Sequence, residues 1–490
     1  MQAMPTISPL PDLSQLSHAQ KDELIIGMYK IVVESSTLTT ALGIRIQELE
    51  ARLGKNSQNS SKPPSSDGLN KPAPKSLRER TGRPSGGQNG HPGHTLSQSA
   101  RVDEFIQWPV GSAVCTACQA PLGEAHVAAK RQVFDIPLPR DYIVTEHQLM
   151  RCTCSCGAVH VGQWPEGVTA PVQYGPNVKA LSVTMSQSQL IPLKRVCELV
   201  RSLFGLPISQ GSAQAFNTQA ATALAATVQA IALAIPKAAV VHADESGIRI
   251  NGKLHWLHCA VTVMLTYLMH HGQRGAQAIA ALAILSKVRG VLVHDGFMSY
   301  KELECAHALC NAHHIRELVY IDEREGEGAH DAWPKSLIGL LVEANKEKRA
   351  LGCALPPHRL QYYAEQWEKT MKQAESLCVE DTDDERPRKP GRIKQSKAFN
   401  LLRRLRTYHD DVWRFAYEHE VPFTNNEAER ALRMCKVKQK ISGCFRSEEG
   451  ATTFFTNRSY LATMQQQGFN LFDCTLSIFT GHPTQPNLGL

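Results

Sequence analysis

Two compact apolar runs in this chain each end on an aspartate. Ala238-Ala239-Val240-Val241-His242-Ala243 stops at Asp244, and Gly290-Val291-Leu292-Val293-His294 stops at Asp295. Short apolar runs bounded in this way predict buried strands. Leu254 to Val263 and Leu265 to His270 predict two more, with Asn251-Gly252 turning the chain into the first. Helical patterns flank these strands, from Tyr174 to about Ala225 and again after Asp295 to about Tyr417. An α/β fold is expected, with a long helical stretch separating the second aspartate from the C-terminal part.

Two neighbouring strands that end together would bring Asp244 and Asp295 within metal-bridging distance. A third acid is available in Phe423-Thr-Asn-Asn-Glu-Ala-Glu-Arg-Ala-Leu-Arg433. On a helix, Glu429, Arg433, Lys436 and Lys440 follow at i, i+4, i+7 and i+11 along one face. Glu427 aligns less well with that stripe, and Glu245, beside Asp244, points to the opposite face of its strand. Asp244, Asp295 and Glu429 are therefore the expected catalytic triad. Their hard oxygen donors suit two Mg²⁺ ions, or Mn²⁺, at a phosphodiester. Arg430, Arg433, Lys436 and Lys440 are the expected DNA contacts beside it. A lone aspartate after a strand is commonly just a turn residue; three acids on separate elements shift the balance.

The 490 residues suffice for several domains, and the net charge of +7 is modest. Its distribution says more. Between Arg52 and Arg83 stand eight Lys or Arg against two acids, Asp67 and Glu79. Asn56 to His94 is rich in Ser, Pro, Gly and Asn and reads as a flexible basic linker that can follow a phosphate backbone, with Lys62 and Arg83 among its DNA contacts. Before it, residues 18–53 predict a helix. Leu38, Leu42, Ile46, Leu49 and Leu53 form a short zipper-like seam on it, although an ordinary amphipathic helix fits equally well.

Fourteen cysteines without a secretory leader pattern are expected to be reduced thiols in a cytosolic protein. The longest apolar stretch, Thr222 to Val241, carries Pro236 and Lys237 and predicts a buried helix followed by a strand rather than a membrane span. Cys115-x-x-Cys118 is half of a structural Zn²⁺ site, and the second half lies in Cys152-Thr153-Cys154-Ser155-Cys156. The second pair is ambiguous among Cys152, Cys154 and Cys156, with His160 also in reach. Cys310-Asn311-Ala312-His313 follows the second aspartate. A Cys and a His on one helical turn more often pack in a core; with Cys305, His307 and His314 nearby, a second metal is the alternative. Arg316 suits either a phosphate or triad-orienting cation or a surface salt bridge.

These segments together resemble the insertion-sequence-66 transposase family. The resemblance lies in Val241-His-Ala-Asp-Glu-Ser246, Val293-His-Asp-Gly-Phe-Met-Ser-Tyr300 and Asn425-Asn-Glu-Ala-Glu-Arg-Ala-Leu-Arg433. It extends to Lys55-Asn-Ser-Gln-Asn-Ser-Ser-Lys-Pro-Pro-Ser-Ser-Asp67, Tyr174-Gly-Pro176, Ile208-Ser-Gln-Gly-Ser212 and Gly443-Cys-Phe-Arg-Ser447, in order from about Leu42 to Phe472. Ser246 stands where the family more often has Thr, and Met434 where many members have Pro. Cys310-x-x-His313 resembles a motif of several DDE transposase groups. The resemblance implies a ribonuclease-H-like core with a mixed sheet and a DDE triad at Asp244, Asp295 and Glu429. It favours Cys154 and Cys156 as the second zinc pair.

The implied activity is that of a DNA transposase, a polynucleotidyl transferase. Water cuts at the element's end and frees a 3′-OH, which then attacks target DNA. Expected partners are double-stranded DNA (terminal inverted repeats and target), a second copy of the chain in the synaptic complex, and small accessory proteins of the same element. The expected location is the bacterial cytoplasm, at the nucleoid. The expected organisation is a zipper-like helical region at 1–54, a linker at 55–100 and a zinc module at 101–165. A helical region with a helix-turn-helix pattern for DNA follows at 166–236. The first part of the core spans 237–310, a helical insertion 311–422, and the last part of the core with its tail 423–490. A DNA-binding protein without catalysis and a nuclease that cuts without joining are the competing readings.

Overall fold

The computed structural model describes residues 14, 16–53, 55, 98–107, 113–121, 124, 126–134, 142–156, 159–324, 332–378 and 395–489. Lys62, Arg83 and most of the basic linker lie outside the described residues, as does most of the charged segment 380–397. The chain divides into two compact units: Met1–Pro74, Tyr174–Pro192 and Ala213–Leu490 form one, and Lys75–Gln173 with Leu193–Ser212 the other.

Helix α1 spans His18–Leu53 as expected. Its seam residues Leu38, Leu42, Ile46, Leu49 and Leu53 are all exposed. In the smaller unit, β1 (Arg151–Thr153) pairs antiparallel with β2 (Val159–Val161), so that Cys152 faces His160 across the ladder. After α2 (Pro176–Val183) come α3 (Leu193–Phe204) and α4 (Gln210–Ala234), which the short segment 205–209 separates. The stretch Gln210–Lys237 is long and apolar enough to cross a membrane, and half of its most apolar window is buried inside the fold.

The five-stranded sheet is built from β3 (Val240–Ile250), β4 (Lys253–Val261), β5 (Thr266–His271), β6 (Val291–His294) and β7 (Ala306–Leu309), in the order β5-β4-β3-β6-β7. The first three pair antiparallel, and β6 and β7 run parallel to β3. Asn251 and Gly252, both at positive φ (49° and 73°), make the two-residue turn between β3 and β4. Helix α5 (Ala276–Leu282) precedes β6, and the single turn α6 (Met298–Lys301) follows it. Then come α7 (Asn311–Arg324), α8 (Trp333–Leu351), α9 (Pro357–Leu377), α10 (Lys397–Thr407) and α11 (His409–Tyr417). The C-terminal part supplies α12 (Asn426–Ser442), α13 (Glu448–Gln466) and α14 (Leu471–Phe479).

Two sequence expectations need correction. Strand β3 does not stop at Asp244 but continues to Ile250, because β4 pairs with it along that whole length. Only the parallel pairing with β6 ends early, at His242. Strand β7 was not anticipated: Ala306-His-Ala-Leu309 carries no β-branched residue and is held as a strand by its pairing with β6.

The sheet is buried on both faces, and its alternation sorts the side chains. On one face, Val291 and Val293 join Leu318, Trp367, Leu401 and Trp413 of the helical insertion, while Ile248, Ile250 and Leu257 meet Ala428 and Leu432 of α12 and Phe454 and Phe455 of α13. On the other, Val241, Ala243 and Leu292 pack with Ile231 and Ile235 and with Ile279 and Leu282 of α5. Gly290 lets β6 start against β3. A Cβ there would sit 2.1 Å from the Ala239 carbonyl oxygen and 2.6 Å from that of Ala238. Gly290→Ala is expected to cost about 1–3 kcal/mol through the forced backbone shift, read as a lowered thermal midpoint; an unchanged midpoint would refute the close-approach argument.

Candidate active site

The site is assembled by register. His242 pairs with Val293 across the parallel ladder, so two residues further on Asp244 comes opposite Asp295, just past the end of β6. Both acids lie on the face that carries Ile248 and Val293, the face over which α12 packs. Beyond His242 the two strands no longer pair. Backbone amides orient both: the Glu245 N–H donates to Asp244 Oδ1 at 2.8 Å, and the Phe297 N–H donates to Asp295 Oδ1 at 2.9 Å.

Helix α12 brings Glu429 to the same place. Its position is fixed by Asn425, the buried residue at its amino end. Asn425 Nδ2 donates to the Ala243 carbonyl at 2.8 Å, and Oδ1 accepts from His242 Nδ1 at 2.9 Å. Its backbone N–H donates to Cys310 Sγ at 3.2 Å, and its carbonyl accepts from the Glu429 N–H at 3.2 Å. One asparagine thus ties the helix to β3, one residue before Asp244, and to the start of α7. Asn425 opens one of the family-like segments of the sequence, but nothing in its spacing there pointed to this role.

The electrostatics reflect the proximity. The Asp244 carboxyl is pushed well above its ordinary value, first by burial, then by the charges of Asp295, Glu245 and Glu429. Glu429 Oε1 is buried without a hydrogen-bond partner. Glu427 instead pairs with Arg430 at 2.9 Å, and so does not contribute to this cluster of carboxylates. Glu245 faces the other side of the sheet, where Tyr300 donates to it at 2.6 Å and Arg274 Nε at 2.9 Å. Arg274 is sandwiched by Trp256 and Phe297, 4.7 and 4.2 Å from the ring centroids. Burial raises the Glu245 carboxyl, against the pull of Tyr300 and Arg274.

His313, on the first turn of α7, reaches the same cluster. Burial and then the Arg316 charge pull its imidazole below its ordinary value, while Asp295 and Glu429 pull the other way. Cys310 is pushed up to about 11 by burial. Cys310, His313 and Glu429 are the one group of three metal-donor residues gathered among the described residues, with donor atoms within 4.8 Å of one another. Cys305, His307 and His314 do not join them: His307 bonds His294 at 3.2 Å, and His314 bonds Asn311. Beside Asp295 opens a cavity of about 390 Å³, lined by Met298, Lys301, Arg403, Arg404 and Tyr408.

The expected cationic stripe is divided. Arg433 and Lys440 are exposed, whereas Lys436 is half-buried and donates to the Gly247 carbonyl. In the smaller unit, Cys115 and Cys118 sit in a turn closed by the Gln119 N–H on the Cys115 carbonyl, and the Ala117 N–H donates to Cys115 Sγ at 3.4 Å. Cys154 is likewise lowered by the Cys156 backbone N–H. The two thiol pairs are not gathered into one donor cluster among the described residues.

Comparison with known proteins supplies the family. The family described as Transposase IS66 family matches residues 171–453, which carry the whole sheet, Asp244, Asp295 and Glu429. Residues 8–97 match a family of unknown function, DUF6444. No curated protein matches the chain. With more than half of its length matched, the chain belongs to the IS66 family of transposases.

Proposed function

We propose that this transposase cuts and joins DNA strands at Asp244, Asp295 and Glu429, as a DDE polynucleotidyl transferase with a ribonuclease-H-like core. The observation that carries the reading is that Asp295, just past β6, and Glu429, on α12, both act on the buried Asp244 carboxyl of β3, although the three acids' donor atoms do not form a group within 4.8 Å of one another among the described residues. The mixed sheet supports the core assignment, with Asp244 within β3 just beyond its parallel pairing with β6, and Asp295 just past the end of β6.

The donor set fits hard divalent ions. The three carboxylates are half-buried, and the Asp244 carboxyl is raised first by burial and then by the charges of Asp295, Glu245 and Glu429. Asp244, Asp295 and Glu429 would hold Mg²⁺ or Mn²⁺, which activates the attacking oxygen and offsets charge on the leaving one. The chain's own contribution is placement. The Glu245 and Phe297 amides aim two acids, Asn425 fixes the third, and exposed Arg433 and Lys440 on the Glu429 helix take the DNA backbone. Arg430, Lys436, Lys62 and Arg83 are assigned to DNA more weakly, the first two because they already have partners within the fold.

The remaining assignments follow the same reading. The cysteine turns at 115–118 and 154–156 are halves of a structural zinc module, each already offering backbone N–H groups to sulfur. The helical region 166–236 supplies the helix-turn-helix for the element's ends. The exposed seam of α1 pairs with a second copy, as synapsis of two ends requires.

Cleavage and joining of a labelled inverted-repeat end in the presence of Mg²⁺ test the reading. Binding without nicking would leave a DNA-binding protein, and nicking without strand transfer a nuclease. A pH dependence also follows. A raised Asp244 pKa means that the ion-free folded chain holds this proton more tightly than the unfolded chain. The associated stability is fully present below about pH 3.9 and is lost as pH rises through the folded value. Mg²⁺ is therefore expected to raise the thermal midpoint at about pH 8 and to do so far less at about pH 4. An equal shift at both values would contradict carboxylate binding.

A further inference from the structure

We propose that Cys310, His313 and Glu429 form a binding position for a soft divalent ion, Zn²⁺ foremost, which shares only Glu429 with the hard-ion site of the acid triad. The three residues come from the start of α7 and the first turns of α12, and their donor atoms lie within 4.8 Å of one another. Two of these residues carry an orphan: His313 Nδ1 and Glu429 Oε1 are both buried with no hydrogen-bond partner. Buried polar atoms are nearly always partnered, so two orphans on residues gathered with a thiol mark a place suited to a missing group.

The chemistry of the set selects the ion. Sulfur, imidazole nitrogen and carboxylate oxygen together suit Zn²⁺, with one position of a tetrahedron left for water, whereas Mg²⁺ avoids thiolate. The sulfur is already oriented, since the Asn425 N–H donates to it at 3.2 Å. An ion here clasps α12 to α7 and sets how far Glu429 leans toward Asp244. On binding, the Cys310 S–H proton passes to solvent and the S–metal bond takes its place. The inference shares Glu429 with the catalytic reading but does not rest on it.

The test uses the full-length chain, stripped with a chelator and titrated with Co²⁺ in excess Mg²⁺. Thiolate-to-cobalt absorption and the number of ions bound by dialysis are read for wild type, Cys310→Ser and His313→Gln. Wild type is expected to bind one Co²⁺ per chain more than Cys310→Ser, with the matching part of the near-ultraviolet band lost in that variant. His313→Gln is expected to keep the band and weaken that one ion at least about tenfold. The same number of ions at the same affinity in wild type and His313→Gln would overturn the proposal. His313 is only half-buried, so this variant decides the matter if circular dichroism shows that Cys310→Ser does not fold. Because DNA cleavage is not the readout, failure here leaves the acid triad standing, and failure of the triad leaves this site standing.

Discussion

Asp244→Asn is expected to lower Mg²⁺-dependent cleavage by at least about 10³-fold, worth about 4 kcal/mol of barrier, while binding to the element's ends persists. Asparagine keeps the size of the side chain and an oxygen that can accept from the Glu245 N–H, so the local path of β3 should survive. What it removes is the charge. Burial raises the Asp244 carboxyl, and it feels the other two acids. Without its charge, the remaining pair offers too little to hold two divalent ions. The ion-free variant should also be no less stable than wild type, since an uncompensated buried carboxylate is gone. A purified Asp244→Asn protein that cuts as fast as wild type would sink the catalytic assignment. One that neither folds nor binds DNA would instead place Asp244 in the architecture.

How much of this could be read from the sequence depends on the range of the contacts involved. The strands ending in His242-Ala243-Asp244 and His294-Asp295 were legible because buried parallel strands are uniformly apolar, and an acid after them interrupts the pattern. The Asn251-Gly252 turn was legible from local chemistry alone. The choice of Glu429 over Glu427 came from helical spacing; Glu427 pairs with Arg430. The extension of β3 past Asp244 was hidden because its cause lies in β4, not in β3. Strand β7 was hidden because a short parallel strand can be held by its neighbour without favourable residues of its own. Lys436 was placed on a DNA-facing stripe from spacing, which cannot reveal that a carbonyl of another element lies within its reach.

The least legible feature is the anchor of α12, because Asn425 and His242 are 183 residues apart in the chain. Asn425→Ala is therefore the more demanding prediction. The burial of His242 keeps its imidazole below its ordinary value, hence neutral, and its Nδ1–H donates to Asn425 Oδ1. Alanine leaves that N–H and the Ala243 carbonyl buried without these partners, and each such loss costs about 1–3 kcal/mol. Together the expected loss of stability is about 2–6 kcal/mol, read by denaturant unfolding. Glu429 lies one helical turn beyond Asn425, so a shift of the helix start moves it directly, and a displacement of about 1 Å is enough to cost about 10²-fold in rate. Asn425→Asp separates the two effects. It keeps an acceptor for His242 but loses the donor to Ala243 and sets a carboxylate oxygen against that carbonyl, so it too should lose stability while the His242 bond persists. Unfolding of Asn425→Ala within about 0.5 kcal/mol of wild type, with cleavage intact, would show that α12 is held by its apolar contacts with the sheet alone.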